Sequence, residues 1–381
     1  MVSARILLVG DLILDEPDPD SFFEPSAETL RSGDVVIGQV EVPHSTRGHV
    51  QSTDVPAPPA RPEHLEALPR TGFNVATLAG NHIADLGPDP IEDTLAKLHE
   101  LGLETTGAGM NLPQARRPAR VEANGISVAV FSYNCVGPKD GWARASKAGC
   151  AYVNVLTHYE LDHASPGGPP TIYTFATPES IEDLRCDLAA VRAEVDVIVV
   201  ALHKGIGHVR SQIAMYERDL SRAVIDAGAD IVVGHHSHIM RGIEVYKDKP
   251  IYHGLGNFVS VTRALSPTDG GTPEARAWAV RREQLYGFKP DPNMPTYPFN
   301  PESRNTIIVD CVAGPDGSVD AGLIPCWIDD AARPVPLGPG DGDRVVDYVR
   351  TIGREAGLGT DFDWDGERVR ITAPATVRAE A

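Results

Sequence analysis

Short apolar runs in this chain end, one after another, in side chains that can hold a proton or a metal ion, and that recurrence constrains the fold more than any other feature. Ile231 to Val233 read as a buried β-strand ended by Gly234, after which His235, His236 and His238 crowd one loop. Arg5 to Val9 (RILLV) leads into Gly10-Asp11, and Val35 to Val40 (VVIGQV) leads into Glu41. Phe73 to Leu78 (FNVATL) is followed by Ala79-Gly80-Asn81-His82, then Asp85 and Gly87. Val197 to Leu202 (VIVVAL) is followed by His203-Lys204-Gly205. Near-continuous apolar runs are the pattern of strands covered on both faces, and α/β sheets gather ligands outside their strand ends. The expected fold is α/β, with five strands delivering polar side chains to one edge. Carboxylate, amide oxygen and imidazole together suit a divalent cation such as Mn, Fe, Zn or Ca.

The rest of the chain alternates strand and helix. Ile91 to Leu101 has helical spacing, an acidic start and a stop at Gly102. Asn124-Gly125 inside Val121 to Tyr133 signals a hairpin. Pro178 to Ala193 and Gln212 to Ala227 read as the helices before the His203 and His235 strands. Two strands are expected after Arg304, joined at Gly314 to Gly317, and a terminal helix over Gly340 to Gly357. Two stretches are longer than ordinary connections: 137–174, and 263–305 with Trp278, Tyr286, Phe288, Tyr297 and Phe299 among prolines. Both are read as walls of a substrate pocket. The expected organisation is a core over 1–262 with an insertion at 137–174, a Pro- and aromatic-rich loop over 263–305, and 306–381 completing the same domain.

The motifs resemble those of the CapA or PgsA-like proteins, named for capsule and poly-γ-glutamate synthesis, a branch of the calcineurin-like metallophosphoesterase superfamily. The carriers are Gly10-Asp11, Val40-Glu41-Val42-Pro43, Gly80-Asn81-His82 with Asp85 and Gly87, His203, Gly234 to His238 and Gly254 to Phe258. The resemblance implies a four-layer αββα sandwich. It also implies a metal shell drawn from Asp11, Glu41, Asn81, His203, His236 and His238, with His82 as proton donor. Phosphoesterases of that superfamily begin with Asp-x-His, whereas Asp11 is followed here by Leu12 and Ile13. One metal, or a weak second site, is therefore the expectation, and a two-metal phosphoryl clamp is not.

Composition sets the surroundings. With 34 basic and 53 acidic residues the net charge is −19, which argues against nucleic acid or an anionic membrane as partner. No apolar run approaches membrane-spanning length, and the reading is cytoplasmic. Five scattered cysteines fit reduced thiols. His82 and Asp85, three apart, can form an acid–base pair, with Asp85 as a simple turn cap the alternative. Asp11 with His235 or another histidine of the 235–238 run would make a second pair. Lys204 and Arg241, close to these histidines in sequence, are candidates to hold a substrate carboxylate. Within the family, the chain most resembles the lasso-peptide epimerase branch, implying a peptide substrate whose Cα is inverted by proton transfer. A metal-dependent hydrolase of phosphoesters or amides and a capsule or poly-γ-glutamate synthesis protein are the alternatives.

Overall fold

The computed structural model describes residues 3–51, 59–161, 163, 167–266 and 273–374. Two β-sheets lie face to face, and alternation along each strand decides what lies on either side. In the first sheet, Ile6, Leu8, Val35, Ile37 and Val75 pack inward against Val128, Val130, Val199, Ala201, Ile231 and Val233 of the second. The intervening residues Leu7, Val9, Val36 and Val40 point the other way, onto helical residues Phe23, Leu30, Leu68, Ile91 and Leu98. On the far side, Phe131, Ile198, Val200 and Val232 meet Leu184 and Leu188 of the helix Pro178–Arg192 and Leu220 and Val224 of Met215–Asp226. Period-two alternation with apolar residues on both faces produces four layers, helix–sheet–sheet–helix. This is the expected αββα α/β sandwich.

The first sheet is mixed. Ala4–Leu14, Val35–Val40, Val75–Thr77 and Glu104–Thr106 run parallel, and Asn305–Ala313 pairs antiparallel to the first of them. In the second sheet Ile126–Asn134, Val197–His203, Ile231–His235 and Lys249–Tyr252 run parallel, edged by the antiparallel strands Ala119–Ala123 and Ile243–Tyr246. The predicted strands, the Asn124-Gly125 hairpin and the three helices are all present, with shifted ends. The first strand runs on through Gly10-Asp11 to Leu14, with a register irregularity between Leu8 and Asp11. Gly234 lies inside its strand rather than ending it. No helix among the described residues is long and apolar enough to cross a membrane.

Three expectations change. The helix Asp343–Glu355 is not terminal: a hairpin of Asp361–Asp365 and Arg368–Thr372 follows and extends the first sheet. Its strands alternate charged and apolar residues on a half-exposed edge, a pattern weaker than an apolar run. The stretch 263–305 contains the helix Pro273–Tyr286 and a 3₁₀ turn at Pro301–Arg304. The stretch 137–174 contains most of an antiparallel ribbon, Val155–Glu160 with Thr171–Ala176, which carries Leu156, Tyr159, Ile172 and Phe175 exposed. The described cysteines are all free thiols, four of them buried.

Two glycines explain how chain segments close on the strand ends. A Cβ on Gly10 would lie 2.1 Å from the Gly256 carbonyl oxygen, and one on Gly234 would lie 2.1 Å from that of His253. The backbone of 253–256 therefore presses directly on the residues preceding Asp11 and His235, and the Asp11 amide donates to Gly256 O at 2.9 Å. Gly10→Ala should lower stability by about 1–3 kcal/mol, the usual cost of overpacking. Because it displaces Asp11, it should also weaken metal binding; a urea titration and a metal titration of the same protein check both, and an unchanged midpoint would contradict the close approach.

Candidate functional site

Asp11 from the first strand, Glu41 directly after the second, and His238 three residues beyond Ile231–His235 converge where the two sheets meet. One ligand atom of each lies within 4.8 Å of the others, and both carboxylates are fully buried. Burial, then the neighbouring Glu41, pushes the Asp11 carboxyl well above the usual carboxylate range. Asp11 Oδ1 is buried without a hydrogen-bond partner. His238 is oriented by its neighbours: Nδ1 donates to Asn257 Oδ1 at 2.9 Å, and Asn257 Nδ2 donates to Tyr297 Oη at 3.1 Å. That assignment leaves Nε2, 3.4 Å from Glu41 Oε1, as the lone-pair nitrogen. Two adjacent buried carboxylates are unfavourable as anions unless a cation joins them, and a neutral imidazole completes the donor set. The residues fit a divalent metal ion.

A chain of four side chains runs beside this group. His203 Nε2 donates to Asn81 Oδ1 at 2.8 Å, Asn81 Nδ2 donates to His82 Nε2 at 3.0 Å, and His82 Nδ1 donates to Asp85 Oδ2 at 2.7 Å. His203 Nε2 is 3.9 Å from Glu41 Oε1, so Glu41 stands between His203 on one side and His238 on the other. The His236 ring centroid is 5.0 Å from that of His203, and its amide donates to Asp11 Oδ2 at 3.3 Å. The Asp85 amide closes a turn onto His82 O as well; Asp85 thus both pairs with the imidazole and shapes the turn. Burial holds the His203 imidazole well below its ordinary pKa.

These groups border a cavity of ≈160 Å³ lined by Glu41, Asn81, His82, His236 and His238 on one side and by Leu265, Trp278, Arg282, Tyr286 and Phe299 on the other. His208 also lines it, 5.6 Å from the His238 ring centroid and packed against Tyr286 and Phe288. Burial, then His238 and Arg282, hold the His208 imidazole well below its usual pKa. Backbone strain is concentrated here: His208, His236 and His238 take φ of +57°, +82° and +52°, a region costly for side chains with a Cβ. Of the two long stretches, 263–305 supplies cavity walls, whereas among the described residues of 137–174 none lines the cavity.

A family model described as bacterial capsule synthesis protein PGA_cap matches residues 5–262, which include every residue of the buried group and of the His82 chain. The chain belongs to this family. Relatives include the PGA biosynthesis protein CapA of Bacillus subtilis (strain 168), 28% identical over 66% of this chain and 62% of that one, and the capsule biosynthesis protein CapA of Bacillus anthracis, 27% identical over 66% and 58%. The chain thus spans about three fifths of the length of the curated relatives it matches. Among solved structures, a calcineurin-like phosphoesterase, YfkN from Bacillus subtilis, aligns over 93% of this chain and 98% of its own at 12% identity and a TM-score of 0.39. GAP50, the anchor in the inner membrane complex of Plasmodium, aligns over 96% and 99% at 8% identity and a TM-score of 0.34.

Three candidates of this PGA_cap family member lie elsewhere. His235 sits within its strand and turns into the protein, where its Nε2 meets Val9 O at 3.2 Å, and burial lowers its pKa to about 4. It does not line the cavity and forms no pair with Asp11. Lys204 is fully buried, donating to His253 Nδ1 at 3.1 Å and lying 3.6 Å from Glu217 Oε2. Arg241, also fully buried, donates to the Ile206 and Gln212 carbonyls and pairs with Glu217 at 3.3 Å. Proximity in sequence to the histidines misled because these side chains leave the backbone toward the Met215–Asp226 helix. They form a buried ionic cluster, which breaks at a cost if one partner is removed. The residues that sequence reasoning did not select as site residues are His208, Asn257 and Arg282. The His208 signal was its place after a strand-end Gly-rich turn; Asn257 stood within the Gly254 to Phe258 motif.

His44, His235 and His253 are each lowered to about pKa 4, chiefly by burial. Unfolded imidazoles titrate near 6.5, so between about pH 6.5 and 4 the unfolded chain binds more protons than the folded one. Stability is full above about pH 6.5 and falls as pH drops toward 4, by roughly 3 kcal/mol per imidazole. Urea midpoints across this range measure the loss. His235→Gln should flatten part of that slope with metal content unchanged, whereas His238→Gln should lose the metal; metal loss in the His235 variant would show that His235, read from the sequence as an acid–base group, helps to hold the ion.

Proposed function

We propose that this chain is a metal-dependent enzyme that hydrolyses an amide bond in a peptide-like substrate of the capsule or poly-γ-glutamate type. The observation that carries the proposal is the Asp85-backed His82 in the same cavity as the buried Asp11–Glu41–His238 group. A divalent ion held by those three residues would polarise a substrate carbonyl and lower the pKa of water. His82 does the proton work. Its Nε2 carries the lone pair, because Nδ1 is committed to Asp85, and Asn81 Nδ2 occupies that lone pair before substrate enters. Once entering substrate and water displace the Asn81 amide, the ring can take a proton from attacking water and return it to the departing amine nitrogen. Asp85 at 2.7 Å fixes the tautomer and stabilises the transient imidazolium. Asn81, in contact with Nε2 at 3.0 Å, holds the ring plane. The aromatic wall keeps competing water from the reacting carbonyl. The names of the Bacillus relatives favour an amide-linked anionic polymer over a phosphoester.

A second reading has support from the geometry. His82 with Asp85 and, outside the Asp11–Glu41–His238 group, His236 both border the cavity, and inversion of a peptide Cα needs two such proton carriers. Deuterium separates the two reactions. Incubation of the Mn-loaded protein with γ-linked oligoglutamate or a linear peptide in D₂O should give cleaved products with unlabelled Cα under the hydrolase reading. An uncleaved, inverted and deuterated product would establish epimerisation instead. Chelation should abolish turnover, and His82→Gln should lower it about 10²–10⁴-fold with metal content and fold unchanged. Full activity in that variant, or release of inorganic phosphate from phosphoesters as the dominant reaction, overturns the amide assignment.

A further inference from the structure

Arg282 brings a cation to the lining of the cavity that also holds Glu41, and it is almost completely enclosed, at 2% exposure. Its guanidinium donates to the Pro298 carbonyl at 2.7 Å and to the Leu265 carbonyl at 3.2 Å, and Nε has no hydrogen-bond partner. Its Cζ lies 5.8 Å from the Phe288 ring centroid. Among the described residues no acidic side chain pairs with it. This differs from the other deeply buried arginine, Arg241, which has Glu217. An enclosed cation whose partners are only neutral carbonyls and a ring is poorly compensated for lost hydration. The two carbonyls instead fix the plane of the fork, and fixing a guanidinium in advance reduces the entropy lost when it meets an oxyanion.

Position gives this charge a use. Arg282, Trp278, Tyr286 and Phe299 lie beyond residue 262, outside the part of the chain that matches the family model, yet they line the cavity that holds His82, His236 and His238. The cavity thus has a reactive side made of family residues and a cationic, aromatic side made of residues particular to this C-terminal stretch. We propose that Arg282 is the recognition residue for an oxyanion, a carboxylate or a phosphate, carried by the substrate group that enters this cavity. The proposal rests on the cavity being the substrate site. It supplies the anchoring role for which Lys204 and Arg241 are unavailable. The apolar rings pack the substrate's carbon frame, while the oxyanion balances the charge of Arg282. A neutral ligand of the same shape leaves that charge as uncompensated as before.

The test is a binding measurement on the Mn-loaded full chain, so it does not depend on turnover. Calorimetric titration compares N-acetyl-L-glutamate, the neutral N-acetyl-L-glutaminamide and inorganic phosphate. The acid should bind about tenfold or more tightly than the neutral amide, since hydrogen bonds to charged groups contribute that much. Phosphate binding that displaces the acid assigns a phosphoryl group to the same position, and absence of phosphate binding assigns a carboxylate. Arg282→Gln should abolish the preference for the acid, and Arg282→Lys should retain part of it because charge remains without the fork. His82→Gln should bind the acid like the unaltered chain while losing turnover, which separates this proposal from the catalytic one. Equal binding of acid and neutral amide by the unaltered chain, a comparison that needs no variant to fold, overturns the proposal. Undiminished acid preference in a folded Arg282→Gln protein overturns it as well.

Discussion

Two buried carboxylates, Asp11 and Glu41, sit side by side at the seam of two sheets, and the surrounding architecture is organised around their mutual repulsion. Asp11 comes from one strand and Glu41 from the next, side by side in the same sheet, so backbone pairing forces them together. His238 and His203 reach them from the opposing sheet. Folding the protein therefore assembles the site as a by-product of packing the inter-sheet core, where Ile6, Leu8 and Ile37 meet Val199, Ala201 and Val233. A bound cation would relieve the like-charge contact and thereby cross-link the two layers, adding its binding free energy to stability. The dry setting that makes the carboxylates costly as a pair is also what makes them strong ligands.

The division between reactive and recognising elements follows from chain order. Residues up to 262 carry the buried group and the His203–Asn81–His82–Asp85 chain. The following stretch contributes rings and the Arg282 guanidinium to the cavity, and packs on the scaffold through Tyr286 and Phe288 against His208 and through Met294, Tyr297 and Phe299 in the core. Family membership thus accounts for the chemistry of one wall and is silent about the other. Strain is spent on the reactive wall: His236 and His238 both hold left-handed backbone around Ser237, whose hydroxyl donates to Ile239 O at 2.8 Å and locks the turn.

Much of this was legible in the sequence, and the failures have physical causes. Apolar runs located the central strands because strands covered on both faces have no polar alternation to confuse them. Glycine followed by Asp or His marked where the chain meets the site, although both strands run on past the glycine, because only glycine tolerates a backbone pressed against it, as Gly10 and Gly234 do. What the spacing could not reveal was direction. His235 and His236 are adjacent, yet one enters the interior toward Val9 and the other borders the cavity, since His235 is the last residue of its strand and the chain turns at His236, whose φ is +82°. Lys204 and Arg241 failed because both turn toward Glu217 on the Met215–Asp226 helix and away from the cavity. Arg282 was invisible as a site residue because its partners, Leu265 and Pro298, are carbonyls that any sequence offers.

Those two carbonyls have a consequence for how the protein can change. Arg282 ties the beginning of its stretch, at Leu265, to its end, at Pro298, so the segment between is closed off as a loop by a single side chain. Both ends emerge beside the strands that neighbour Asp11, Asn257–Val261 and Asn305–Ala313. The stretch is consequently an exchangeable cassette. Much of its length can be rewritten without disturbing Asp11 and Glu41, provided the two ends remain bridged and Tyr297, which accepts from the Asn257 amide that positions His238, is kept. New substrate preferences on this scaffold would then arise by replacing the cassette, leaving the reactive wall as a fixed part of the inheritance.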